Sequence, residues 1–122
     1  MHLKPKGGEK DWTVYLQIAS GDIPSRKAYE DELVLAFYDL EPQAPEHILI
    51  IPKDHIASPA EITADNSALV AHIFEVAAQL AKEKNWQNGF RVVTNSGKDG
   101  GQTVPHLHFH LLAGRAMGWP PG

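Results

Sequence analysis

Residues 105–114, PHLHFHLLAG, alternate histidine with leucine or phenylalanine, so that His106, His108 and His110 fall at every second position. A period of two is the signature of a β-strand, whose successive side chains point to opposite faces. The three imidazoles therefore share one face, and Leu107, Phe109 and Leu111 share the other. The chain must build a sheet that covers the apolar face and gives the histidine face something to do.

The other elements follow from their own patterns. VYLQIAS, capped by Asp11 or Thr13, reads as a short helix of about two turns that stops at Gly21 before Pro24. Lys27 to Glu30 reads as a short strand, and Leu33 to Leu40 (LVLAFYDL) as a longer one, apolar on both faces and so covered on both. Pro42 and Pro45 force a turn before HILIIP resumes as a strand from His47, making a hairpin. Thr63 or Asp65 caps one long helix, in which Leu69, Ile73, Val76 and Leu80 keep helical spacing until Lys84 and Asn85. Phe90 to Asn95 reads as the next strand, joined by the glycine-rich SGKDGGQT to the histidine strand. The sum is an α+β domain of about five mostly antiparallel strands with one long helix and one short one. It spans residues 11–122 behind a loose leader of ten residues that carries Pro5, Gly7 and Gly8.

Bulk composition narrows the partners. The 122-residue chain carries a net charge of -4, which argues against the basic face that polymeric nucleic acid requires. With no cysteine there is neither a disulfide framework nor a thiolate zinc site, and a reducing cytoplasm fits. No run approaches the ~20 apolar residues of a membrane span, and the N-terminus lacks the apolar core of a signal peptide. A chain this short gains by burying surface against a second copy, so a homodimer is expected.

Histidines in register are costly, because they cannot all be protonated side by side, and such a face is usually functional. His2, His55 and His72 stand alone in the sequence and read as surface or satisfied core residues. For the trio, one reading is metal binding. Two neighbouring rings can share zinc, with Asp39 or His47 completing the site, but the outer pair have Cα atoms about 13 Å apart along a strand. The other reading is nucleophilic catalysis: a neutral imidazole nitrogen attacks phosphorus while its second nitrogen is held by an acceptor, and the flanking rings stabilise the phosphoryl oxygens. The middle ring, His108, is best placed. Gly100 and Gly101 let backbone N–H groups approach an oxyanion, and Gln102 and Thr103 add side-chain donors.

The run from His106 to Leu112 resembles the signature of the histidine triad (HIT) family, three histidines alternating with apolar residues and closing on two apolar positions. The resemblance extends through AFYDLEPQAPEHILIIPKDHI to the C-terminal WPPG, and the QAP-x-H turn and that tail resemble the Hint branch. The third histidine, at 110, resembles the hydrolase branches, which favours hydrolysis over nucleotidyl transfer. The resemblance implies a HIT-like fold and a homodimer that cleaves purine nucleoside 5'-phosphoramidates without a cofactor or metal. Dinucleoside polyphosphate hydrolysis, or nucleotide binding without catalysis, are the alternatives.

Carried over residue by residue, the resemblance makes His108 the residue that is transiently nucleotidylated and His110 a phosphate contact, with His106, His47 and Thr103 in support. Asn95, Gly101, Gln102 and Val104 would surround the phosphate, and Asp39 would bind the ribose hydroxyls. Val14, Tyr15, Ile18, Phe37 and Leu40 would form the base pocket. Tyr15 stands where phenylalanine is frequent, so its hydroxyl needs a partner or water.

Overall fold

The computed structural model describes residues 13–122, and the expected leader, the Asp11 cap and His2 lie outside them. Helix α1 (Thr13–Ser20) is followed by β1 (Lys27–Glu30), β2 (Val34–Tyr38) and β3 (Glu46–Pro52). Then come α2 (Ser67–Glu83), β4 (Phe90–Val93) and β5 (Phe109–Ala113). The five strands form one sheet in the order β1-β2-β3-β5-β4, every neighbouring pair antiparallel. The α+β architecture expected from the sequence, five strands with one long and one short helix, is the observed one.

The doubly apolar pattern of β2 and β3 has a direct cause. Val34, Ala36, Ile48 and Ile50 face α2, where they meet Ile73, Val76, Ala77 and Leu80 together with Leu107, Phe109 and Leu111. Leu35, Phe37, Leu49 and Ile51 face the other way, under Tyr15, Ile18 and Ala19 of α1. Each large aliphatic side chain taken wholly out of water contributes roughly 1.5–3 kcal/mol, so the central strands anchor the domain from both sides. The short α1 covers β2 and β3, and its Tyr15 reaches past them to the rings of His106 and His108.

β2 and β4 are shorter than expected, and the starts of α2 and β5 also differ. Helix α2 begins at Ser67, behind Asn66, which makes no capping bond with its side chain; neither Thr63 nor Asp65 is the cap. Thr63 is engaged in a local turn instead: its hydroxyl accepts from Asp65 N at 3.2 Å, and its own N–H donates to Asn66 Oδ1 at 2.8 Å. Short polar side chains that bond to nearby backbone compete with helix initiation in this way. Strand β5 starts at Phe109 rather than at Pro105, because its ladders to β3 and β4 end at Phe109 and His110. His106 and His108 still alternate with buried Leu107 and Phe109, but something other than the sheet holds them.

Candidate active site

The segment before β5 is held by the chain that leaves β3. Leu107 N donates to Ile56 O at 2.6 Å, and His106 Nε2 lies 2.9 Å from Pro52 O. The Gln102 amide donates to Ala57 O at 2.8 Å and to Val104 O at 3.0 Å, while its oxygen accepts from Gly97 N. From the other side, Thr94 Oγ1 donates to His108 O at 2.9 Å. The glycine loop is shaped by two positions. Gly101 has φ +82°, and a Cβ at Gly100 would stand 2.6 Å from Ser96 O, so only glycine fits there.

Hydrogen-bond partners decide which nitrogen of each ring carries a proton. A backbone carbonyl can only accept, so His106 donates from Nε2 to Pro52 O, and His108 donates from Nδ1 to His106 O at 2.7 Å. Burial disfavours the charged form of both rings and brings His106 down to about 4. Neutral His108 therefore keeps a bare lone pair on Nε2, on the side of the ring turned away from the backbone.

The same logic runs through a second pair. Gln43 N–H donates to His47 Nδ1 at 3.1 Å, which puts the proton of neutral His47 on Nε2. That N–H points at His110 Nδ1, 2.9 Å away, so His110 accepts there and carries its own proton on Nε2. Burial, then the neighbouring His108 and His47, bring His110 to about 4. Neighbouring rings of the trio thus present opposite functions: a lone pair on His108 and an N–H on His110, with ring centroids 5.1 Å apart.

Both rings open on a cavity of about 570 Å³, within the range that holds a mononucleotide-sized ligand. Of the residues singled out in the sequence, Val14, Tyr15, Ile18, Phe37, Asp39, Leu40, His47, Asn95, Gly101, Thr103, Val104, His108 and His110 line it together. His106 and Gln102 do not. His106 is wholly buried behind the wall, and the Gln102 amide is spent on the loop, not free to meet a ligand as expected. Leu40, 97 % exposed, stands at the rim rather than in the wall. Tyr15 packs edge-on against His108 at 5.1 Å between centroids, and burial, reinforced by the Asp39 charge, pushes its hydroxyl up to about 12.

Sequence reasoning missed several members, Gln43 and His55 of the histidine network and Arg26 and Tyr38 of the cavity wall among them. Gln43 supplies the N–H that orients His47, a role carried by backbone and invisible in residue type. His55, read as a bland surface histidine, places Nδ1 2.8 Å from His106 Nδ1; its only sequence signal is its place just after the strand that carries His47.

Asp39, His47 and His110 bring one ligand atom each within 4.8 Å of one another, the set most suited to a cation among the described residues. The Gln43 N–H speaks against it. A metal on His47 Nε2 would require the proton on Nδ1, where that N–H already donates.

Residues 20–117 match the family model described as the HIT domain. The chain belongs to the HIT family. Relatives include an uncharacterised HIT-like protein of Synechococcus elongatus, 48 % identical over 90 % of this chain and 96 % of the relative. A 14 kDa zinc-binding protein of Zea mays is 46 % identical over 90 % of this chain and 88 % of its own length. Among solved structures, a HIT family hydrolase from Legionella pneumophila superposes with a TM-score of 0.87 at 47 % identity, covering 89 % of this chain and 98 % of its own. A histidine triad nucleotide-binding protein from Candida albicans gives 0.74 at 33 % identity, covering 89 % and 83 %. The HIT fold of this chain is thus shared with a hydrolase and with a nucleotide-binding protein.

Proposed function

We propose that this HIT protein hydrolyses purine nucleoside 5'-phosphoramidates through a nucleotidyl-histidine intermediate on His108, acting as one domain over residues 11–122. The observation that carries the reading is the His108 tautomer: Nδ1–H is bonded to His106 O, which leaves Nε2 as a lone pair beside the cavity. In the first step Nε2 attacks the α-phosphorus and the P–N bond breaks; the departing amine takes its proton from solvent, while His110 Nε2–H, its ring held by His47 Nε2–H, donates to a phosphoryl oxygen. In the second, water attacks the same phosphorus and gives up a proton to solvent, the N–P bond to His108 breaks and returns the lone pair to Nε2, and a nucleoside monophosphate leaves. Thr103 and the backbone around Gly101 face the phosphoryl oxygens, Asp39 the ribose hydroxyls, and Tyr15, Ile18 and Phe37 the base.

The decisive experiment is mass spectrometry of the protein mixed with adenosine phosphoramidate. An adenylyl adduct mapped to His108 is expected, and its absence under conditions where turnover proceeds would overturn the nucleophile. A zinc enzyme is the second reading, favoured by the Asp39, His47 and His110 cluster and by the name of the maize relative. Activity that survives exhaustive chelation decides against it.

We also expect a homodimer in the cytoplasm. Among the described residues β4 ends the sheet with an unpaired edge, and Phe90 on it is 40 % exposed, an edge that a second copy would cover. Sedimentation of a monomer at micromolar concentration would refute the assembly. No described helix is long and apolar enough to cross a membrane.

A further inference from the structure

His55 touches the histidine trio, yet no step above uses it. It lies after β3, exposed on one side, with its ring against that of His106 at 5.0 Å between centroids and 28° between planes. Because His106 Nε2–H is committed to Pro52 O, His106 Nδ1 is an acceptor, and the proton in the 2.8 Å contact must come from His55 Nδ1. The His106 ring is therefore fastened at both nitrogens to the chain that leaves β3.

That fastening matters because of what His106 does with its backbone. Its carbonyl is the acceptor that keeps the His108 proton on Nδ1, and it belongs to a segment that single bonds hold in place of a strand ladder, Leu107 N to Ile56 O and the two ring contacts of His106 among them. If the ring is freed at Nδ1, the carbonyl gains play and the Nδ1–H tautomer of His108 loses its advantage over the Nε2–H tautomer. In the second form the lone pair faces the backbone and the molecule has no nucleophile.

We infer that His55 is a positioning residue for the nucleophile: its Nδ1–H holds His106 so that the His106 carbonyl keeps His108 in its reactive tautomer. The inference rests on the proposed reaction for its kinetic consequence, but not for its structural one. Asparagine at position 55 offers a side-chain N–H close to where Nδ1 stands, whereas alanine offers none.

The test uses the full chain with His55→Ala and His55→Asn, read in two ways. In steady-state hydrolysis of adenosine phosphoramidate, H55A should lose about tenfold in kcat, the worth of one hydrogen bond. Its KM should stay within about twofold, since His55 lines no part of the cavity. H55N should recover most of that loss. In ¹⁵N spectra of the histidine side chains without substrate, His108 should be a single Nδ1–H species in the native protein and in H55N, and a mixture of tautomers in H55A. An unmixed Nδ1–H signal in H55A, or an H55N variant as impaired as H55A, would overturn the inference. If the native protein turns over no phosphoramidate, the proposed reaction falls instead, and the spectra still decide the role of His55.

Discussion

His108 and His72 lie on opposite sides of the same sheet and are treated in opposite ways. On the α1 side, burial lowers the pKa of His47, His106, His108 and His110, taking His106 and His110 to about 4, so every ring of the cluster is neutral at pH 7. On α2, His72 Nε2 lies 2.6 Å from Asp31 Oδ2, and that carboxylate raises the His72 pKa. Asp31 is held well below the usual carboxylate range by the His72, Tyr29, Leu33 and Val34 donors, which outweigh the opposing effect of its burial. The same residue type is kept neutral in one place and favoured in its charged form, as a brace against Asp31, in the other. What separates them is burial: in the cluster it outweighs both the carbonyl acceptors of His106 and His108 and the Asp39 charge, all of which favour the charged form, whereas at His72 the Asp31 carboxylate prevails.

The comparison breaks first at His108. His108→Asn keeps an N–H that can donate to His106 O, so the fold and nucleotide binding should survive. Turnover should fall by at least about a thousandfold, as expected when the covalent nucleophile is removed. Single-turnover kinetics with adenosine phosphoramidate, alongside a binding isotherm for the nucleoside monophosphate, check this. A variant that still turns over within tenfold of the native rate would reduce His108 to a binding residue.

Next comes the effect of acid on the neutral cluster. For His106 and His110 the folded pKa lies below that of the unfolded chain, so between about pH 6.5 and pH 4 the unfolded chain binds more protons. Stability must therefore fall as pH drops through that window, by up to about 1.4 kcal/mol per pH unit for each ring fully titrating there. Urea midpoints at pH 7, 6 and 5 should decline steadily. Activity should also fall in acid, below the ordinary imidazole range, once His108 takes up a proton on Nε2 and loses its lone pair. A flat midpoint over this range would show that these rings are not neutral in the folded protein.

How much of this was legible in the sequence depends on which atoms carry it. The shared face of His106, His108 and His110 follows from side-chain alternation, and it survives even though the strand itself begins only at Phe109. The double cover of β2 is legible for the same reason: a run of five apolar residues cannot face water on either side. Roles that depend on backbone groups were not legible. Gln43 acts through its N–H, and Pro52 and His106 act through their carbonyls, so residue type carries no trace of them. Gln102 misled because an amide in a glycine-rich loop can serve a ligand or the loop itself, and only the three bonds it makes to Gly97, Ala57 and Val104 decide. His55 and His72 looked alike in sequence; 2.8 Å from His106 and 2.6 Å from Asp31 set them apart.

The brace is the third place to press. Asp31→Ala removes the acceptor for Leu33 N, Val34 N, the Tyr29 hydroxyl and His72, and frees both the turn after β1 and the α2 contact. With four bonds lost at a partly exposed site, a cost of about 2–3 kcal/mol in urea unfolding is expected. kcat should be unchanged under conditions where the variant is folded, because neither Asp31 nor any of its four partners lines the cavity. A fall in kcat in the folded variant would couple the two faces and undo the contrast drawn between them.

His72→Ala should have the smallest effect, about 1 kcal/mol at pH 6, since the pair is partly open to water. Its value lies in the sign. The folded pKa of His72 is raised, so the contribution is complete below the unfolded value near 6.5 and is lost as pH rises through the folded value. Asp31 sets the other limit: its contribution is present above the unfolded carboxylate value near 4 and fades as pH falls below it. Between these limits the two histidine environments push stability in opposite directions, the cluster gaining with rising pH and the brace losing. Unfolding curves for the native protein and H72A should therefore converge by about pH 9 and separate most near pH 6. Curves that ran parallel from pH 5 to pH 9 would mean that His72 acts by packing rather than by charge.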